Sequence, residues 1–322
     1  MIDFESASWR DLYPFESNFF DIDGFRYHYL DEFDSAVGGG ASLEFAALEA
    51  ATSAAAGPIR PPDSPPTLLF VHGNPTWSFY WRAIVAHFSD RYRVIVPDHI
   101  GCGLSDKPQD WGDRLAQHVD NLQRLIDHLA LEQITLVVHD WGGAIGMGVA
   151  TVQPERFTRF VVTNTAAFLS KSIPPSIAVV KVPGFGALAV RGGNAFARAA
   201  TFRAVSRPLS TEAKAGLLFP YGSWADRIAT LRFVQDIPLA ERHPSYGTLA
   251  GIDAGLEKLA EHPMLLCWGD DDFCFTPAFR EEWERRFPQA QSLHWEGVGH
   301  YVMEDAPERV LAAMDAFFAD ES

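Results

Sequence analysis

The chain has 322 residues, of which 47% are hydrophobic and 21% charged, and its 26 Lys and Arg stand against 42 Asp and Glu for a net charge of -16. That length can bury a large core in one domain, or in a core with an inserted cap, and the composition excludes a disordered or membrane chain. The acidic excess argues against nucleic acid or an anionic membrane surface as partner and suits a neutral substrate.

The first residues carry Asp3, Glu5, Arg10 and Asp11 where a secretory signal would need an apolar run, so none is expected, and no stretch has the length of a membrane span. Three cysteines, Cys102, Cys267 and Cys274, form no C-x-x-C pair, which predicts a reduced, cytoplasmic setting. Alternation from Phe19 to Leu30 around Asp23-Gly24 predicts a hairpin of two edge strands, Phe19 to Ile22 and Phe25 to Leu30. From Ser35 to Pro66 the composition turns to glycine, alanine and proline. It predicts a surface excursion with one short helix around Leu43 to Ala51 and no catalytic role.

Thr67 to Val71 reads as a fully buried strand that ends in His72-Gly73-Asn74-Pro75. Helical spacing follows over Trp77 to Phe88, a strand over Arg93 to Val96, a helix over Val119 to Leu129 and a strand over Ile134 to Val138. A helix from Gly143 to Val152 and a strand from Phe160 to Thr163 complete the run. This alternation predicts an α/β protein with a mostly parallel central sheet and helices on both faces. Between Phe168 and Gly251 the rhythm is lost, and prolines separate short apolar helices such as Ala195 to Val205 and Thr211 to Leu218. Such an insert between two strands reads as a helical lid over the strands' C-terminal ends. Its aromatic residues, among them Phe168, Phe196 and Phe233, predict an apolar pocket with about one in three facing substrate. The sheet resumes at Met264 to Trp268 and Ser292 to Trp295, and Pro307 to Phe318 closes the chain as a helix. The expected division is a core of residues 1–167 and 252–322, with residues 35–66 as an insertion in it, and a cap of residues 168–251. No internal repeat is visible.

The chemistry centres on Val138-His139-Asp140-Trp141-Gly142-Gly143, where a β-branched strand meets a tight turn and a helix. The pattern is G-x-S-x-G with Asp140 in the serine position and Val138 in place of the first glycine, while Gly142 leaves the backbone room the elbow requires. A carboxylate there attacks carbon directly, leaves an ester on the enzyme and needs no base to activate it. The alternative is a polar cap on the following helix. Downstream, Gly269-Asp270-Asp271-Asp272 and Gly299-His300 each follow a strand, so nucleophile, acid and base occur in that order. His300 would take a proton from the water that hydrolyses the ester, and Asp272 would hold the ring's tautomer. One or two of the three adjacent aspartates serve as turn or capping residues. His72, His99 and His139 fit local packing and hydrogen bonding.

Together with Asp98-His99-Ile100-Gly101 and Gly103-Leu104-Ser105-Asp106-Lys107-Pro108, these motifs resemble the haloalkane dehalogenase group of α/β-hydrolases over nearly the whole chain apart from Ser35 to Pro66. The resemblance implies an α/β-hydrolase fold with an inserted helical cap, and it places the family's acid at Asp272. It also implies that Asn74 and Trp141 donate N–H bonds to a departing halide. Physically, an anion leaving in an apolar pocket needs donors already in place, and carboxamide and indole supply them without a charge of their own. Simple packing of the Trp141 indole is the competing account. The activity implied is hydrolysis of a haloalkane to an alcohol and halide.

A second resemblance comes from the cap. Asn164-Thr165-Ala166-Ala167-Phe168, Asn194-Ala195-Phe196, Pro220-Tyr221 with Trp224 and Arg227, and Phe233-Val234-Gln235-Asp236-Ile237-Pro238 resemble the β-lactone decarboxylase of bacterial long-chain olefin biosynthesis. It implies conversion of a cis-3,4-dialkyl-oxetan-2-one to an alkene and carbon dioxide as the alternative activity. The expected partner is a small apolar alkyl substrate, with no nucleic acid and no membrane insertion. The resemblance leaves open a homo-oligomer or an assembly with other olefin-biosynthesis enzymes. No dinucleotide loop, metal cluster or other cofactor signature occurs, and carboxylate attack needs none.

Overall fold

The computed structural model describes residues 7–33, 65–170, 173–182 and 184–320. Eight strands, β1 Asn18–Ile22, β2 Phe25–Glu32, β3 Thr67–Val71, β4 Arg93–Pro97, β5 Ile134–Asp140, β6 Phe157–Thr165, β7 Met264–Gly269 and β8 Gln291–Trp295, form one sheet. Their order is β1-β2-β4-β3-β5-β6-β7-β8. Strand β2 runs antiparallel to both its neighbours, and β3 to β8 are mutually parallel. The hairpin turns on Asp23 and Gly24 with φ of 54° and 84°, the pair of positive values that a two-residue hairpin loop demands. Of the hairpin's two strands only β1 is an edge strand, however. The hairpin's second strand lies inside the sheet because its outward backbone groups pair with β4.

Side chains of the parallel strands alternate between two cores, as period-two geometry requires. Leu69 and Val71 of β3, Leu136 and Val138 of β5 and Leu266 and Trp268 of β7 point to one face. Leu68, Phe70, Val137 and Leu265 point to the other. The first face is covered by α2 Leu115–His128 and α3 Trp141–Ala150, and the second by α1 Arg82–Phe88 and the closing helix Pro307–Ala319. Each such Leu, Val or Phe withdrawn from water contributes about 1.5–3 kcal/mol, so the sheet is a rigid platform. The segment expected to be helical over Trp77 to Phe88 begins as a tight 3-10 turn, Ser78–Trp81, before α1.

Between β6 and β7 every element is helical among the described residues. After a single turn at Pro175–Ala178 and a run from Phe185 to Gly192 come α4 Ala195–Arg203, α5 Thr211–Leu218, α6 Ile228–Gln235 and α7 Tyr246–Gly255. Helix α7 runs through residue 251 without a break. A helix at Pro277–Arg286, α8, was not visible in the sequence periodicity because its exposed face is densely charged. The excursion from Ser35 to Pro66, with the short helix expected in it, lies outside the described residues except for Pro65 and Pro66.

The chain goes from β3 out to β4 and then back across β3 to β5, so the winding reverses between β3 and β5. A crevice opens at the carboxyl ends of strands where the order reverses. His72-Gly73-Asn74 leaves β3 there, and Asp140 ends β5.

Candidate active site

Asp140 is the last residue of β5 and α3 begins at the next one. Its backbone sits at φ 51° and ψ -125°, a region that costs a side-chain-bearing residue about 1–3 kcal/mol. Its surroundings compensate. The Thr165 hydroxyl donates to the Asp140 carbonyl, and a Cβ on Gly142 would overlap the Val71 carbonyl, which is why the elbow needs glycine there. The helix therefore starts at Trp141, two residues before its expected position.

The two oxygens of Asp140 have different partners. Oδ1 accepts from the backbone N–H of Asn74 at 2.6 Å, and the backbone N–H of Trp141 also donates to the carboxylate. A Cβ on Gly73 would overlap this same Oδ1. Oδ2 faces Nε2 of His300 at 3.7 Å. On the far side of the ring, Nδ1 of His300 lies 2.8 Å from Oδ2 of Asp272. A carboxylate oxygen accepts, so Nδ1 donates to Asp272 and Nε2 is the ring nitrogen that faces Asp140. The structure thus brings Asp140, Asp272 and His300 together from the ends of β5 and β7 and the loop after β8, all three buried.

Of the neighbouring aspartates, Asp271 is exposed and Asp270 pairs with His294 at 2.6 Å, so both serve the turn. Trp141 stands at the site with its ring 5.3 Å from Phe233, and among the described residues no group accepts from its indole N–H. Asn74 is there too. Its carboxamide nitrogen donates to the Thr230 carbonyl of α6 at 3.1 Å, and its oxygen is buried without a partner. That anchor leaves one carboxamide N–H for a ligand.

Sequence reading did not assign Asn164 to the site. It is the next-to-last residue of β6, with φ 34°, donates to Oδ2 of Asp272 at 2.9 Å and accepts from the backbone N–H of Gly269 at 2.9 Å. It therefore fixes the acid and the loop that carries it. Only its place one strand over from Asp140 could have signalled this. His139 packs its ring 4.5 Å from that of His300 and bonds the His300 carbonyl through Nε2 at 2.8 Å, a supporting contact. Phe275 stacks on the opposite region of the same imidazole, 5.7 Å away.

A family model described as the alpha/beta hydrolase fold matches residues 66–307. The chain belongs to the α/β-hydrolase family. It is 40% identical over 316 residues to the cis-3-alkyl-4-alkyloxetan-2-one decarboxylase of Shewanella oneidensis, covering 96% of this chain and 90% of that one. It is 29% identical over 320 residues to haloalkane dehalogenase 2 of Mycobacterium tuberculosis, with 94% and 95% covered. Among solved structures, a haloalkane dehalogenase loop variant from Bradyrhizobium elkanii superimposes with a TM-score of 0.78 at 24% identity, covering 94% and 96%, a likeness of fold. Both resemblances read from the motifs thus have counterparts, and the decarboxylase is the nearer of these two curated relatives.

In this α/β-hydrolase the charges of the site are mutually adjusted. Burial pushes the Asp140 carboxyl above the usual range, while the His300 imidazole and the N–H groups of Asn74 and Trp141 pull it back without cancelling the rise. Burial works against a charge on His300, but Asp272, through its charge and its hydrogen bond, and then Asp140 outweigh it and raise the imidazole above its ordinary value. Burial also holds His139 and His99 well below theirs, so both stay neutral. Among the described residues no group of His, Cys, Asp and Glu is arranged to hold a metal ion.

Two cavities meet at Asp140. One runs under Phe168, Leu249 and Phe279. The other runs past Val190, Ala199 and Tyr301. Asn74, Asp140, Ile177, Phe196 and Cys274 line both, and the remaining walls are almost wholly apolar. Of the cap's aromatic residues, Phe168 and Phe196 face the first cavity and Phe185 and Phe196 the second. Phe202 and Trp224 are on the surface.

Proposed function

We propose that this α/β-hydrolase converts a cis-3,4-dialkyl-oxetan-2-one to an alkene and carbon dioxide. The observation that carries the reading is the meeting of two separate apolar cavities at Asp140, one for each alkyl chain of a doubly substituted ring. The decarboxylase relative at 40% identity supports the same choice over the haloalkane reading. In this view the helices between β6 and β7 act as a lid unit whose inner surface selects the chains, over a catalytic core formed by the sheet.

The proposed steps use groups already described. Oδ2 of Asp140, the oxygen not held by the backbone N–H of Asn74, attacks the ring carbon that bears the ring oxygen. The C–O bond breaks, and its electron pair goes to the new carboxylate. Asn74 and Trp141 supply neutral N–H donors to that anion, as a desolvated leaving group requires. The C–C bond to the carboxylate then breaks to release carbon dioxide, its electrons form the C=C bond, and the Asp140 carboxylate departs unchanged. Attack opposite the ring oxygen leaves the new C–O bond anti to the breaking C–C bond, so the alkene forms without rotation and stays cis. No water is consumed. His300 with Asp272 serves as the charge partner that keeps Asp140 ionised.

Haloalkane hydrolysis is the second reading. It is favoured by the unpaired indole N–H of Trp141 beside Asp140 and by the Mycobacterium relative. In that route His300 must take a proton from water to release the ester. Parallel incubation with a cis-dialkyl β-lactone and with 1-bromohexane decides between them. Alkene and carbon dioxide without halide support the decarboxylase, and halide release without lactone turnover overturns it.

A further inference from the structure

The net charge of -16 is not spread evenly along the chain. Between Glu155 and Glu212 there is no Asp or Glu, while eight Lys and Arg occur. Arg198, Arg203 and Arg207 of this stretch are exposed. The same stretch turns large apolar side chains outward: Val179, Val182, Phe185 and Leu188 are 47%, 50%, 55% and 68% exposed. They lie on two short helical pieces, Val179–Lys181 and Phe185–Gly192, and on the turn that joins them, and Val179 and Phe185 line one cavity. Leu188 and Trp224, itself 48% exposed, meet over Gly192, where a Cβ would lie 3.4 Å from one and 3.6 Å from the other. The Arg191 guanidinium covers the Trp224 ring at 4.8 Å. Asp226, two residues beyond Trp224, accepts from the Ser223 N–H at 2.8 Å.

We propose that this basic, apolar face of the lid docks on an anionic lipid bilayer. Exposed apolar side chains rimmed by cations suit the headgroup boundary, where the former enter the acyl region and the latter meet phosphate. Charge decides between this occupant and a second copy of the chain. A two-fold contact through the face would set these cations against their own copies, whereas the acidic remainder of the molecule, repelled by the same bilayer, turns the lid toward it. Among the described residues no helix is long and apolar enough to cross a membrane, so the contact is interfacial.

The second cavity gives the face a use. Its lining includes Val179, Phe185 and Arg203, all exposed, so it reaches the surface at the patch while its inner end is at Asp140. A substrate with long alkyl chains would pass from bilayer to carboxylate without crossing water. That consequence rests on the function proposed above, and the docking does not.

Flotation of the full-length protein with phosphatidylglycerol-containing and pure phosphatidylcholine vesicles, at low and high salt, tests the docking without any turnover. Wild type should float with the anionic vesicles at least tenfold more than with the neutral ones, and less at high salt. The Val182→Glu/Leu188→Glu double variant changes exposed positions that line neither cavity, and should lose that binding while retaining its fold by circular dichroism. Absence of binding to anionic vesicles, or equal binding by the double variant, overturns the proposal. So does a dimer in solution that the double variant dissolves when neither protein floats. Vesicle binding without lactone turnover would uphold the docking and defeat the substrate reading instead.

Discussion

The floor and the lid of this site are built differently. The floor is backbone: Oδ1 of Asp140 is held by the main-chain N–H of Asn74 in the loop after β3, and the carboxylate also by that of Trp141 just after β5, strands buried on both faces and paired along their length. The lid is side chains on short helices, separated by prolines and carrying exposed aliphatic and aromatic residues. In the proposed mechanism, main-chain donors on a rigid sheet fix which oxygen of Asp140 attacks, and any substrate with an electrophilic alkyl carbon could use them. In the same proposal, packed side chains on short helices select the alkyl chains that reach that atom. On the function proposed above, chemistry shared by a dehalogenase and a decarboxylase would belong to the floor, and the choice between them to the lid.

Four experiments would break or sharpen this contrast. The largest effect is expected at the attacking oxygen. Asp140→Asn should lower turnover of every alkyl substrate by about 10,000-fold or more, measured as alkene by gas chromatography or as halide. Near-wild-type rates in the variant would remove the nucleophile from the mechanism. Next comes the backbone of the floor. Gly73→Ala forces a Cβ into Oδ1 of Asp140 and should cut kcat by about 100-fold with little change in the circular dichroism spectrum. An unaltered kcat would mean that the position of Oδ1 is unimportant.

The third separates the two chemistries at His300. With 1-bromohexane, His300→Ala should release one equivalent of halide and stop with an alkyl ester on Asp140, seen by mass spectrometry. With a dialkyl β-lactone it should continue to give alkene at a reduced rate, because no water is needed to free Asp140. The pH profiles should diverge in the same sense. Ester hydrolysis needs a neutral imidazole and declines as pH falls through the raised value of His300. Decarboxylation tolerates the protonated ring and declines only as Asp140 takes up a proton. Coincident acid limbs for lactone turnover and halide release would count against the water-free route.

The smallest effect belongs to the lid. Ala199 lines only the second cavity, so Ala199→Leu should lower kcat/KM about tenfold for lactones with two long chains and leave short-chain lactones almost unaffected. Equal losses for long and short chains would show that the two cavities do not divide the substrate.

Much of the floor was legible in advance because its signals are local. Thr67–Val71 of the floor, like Thr211–Leu218 of the lid, has the bounds read from the sequence, since an unbroken apolar run and a capped helix each carry their own ends. Asp140 could be located because a strand, an elbow and a helix lie consecutively along the chain. Asn164 could not, because its bonds to Asp272 and Gly269 span more than a hundred residues and nothing in its neighbours encodes them. The hairpin's second strand was taken for an edge for a similar reason: a strand's own residues do not say whether another strand, here β4, comes to pair with it. Whole-chain charge concealed the lid's basic character by averaging an acid-free stretch with an acidic remainder.

By itself, then, the sequence determined the succession of strands and helices, the carboxylate at the elbow and the places of Asp140, Asp272 and His300 after strand ends, because side-chain periodicity and turn chemistry act over a few residues. Only the tertiary structure decided which oxygen of Asp140 is free, that Asn164 steadies Asp272, and that two cavities converge on one carboxylate with one of them opening at the lid's apolar face. Those depend on which distant strand ends and helices come into contact, and such contacts are set by the packing of the whole sheet and lid and not by any single segment.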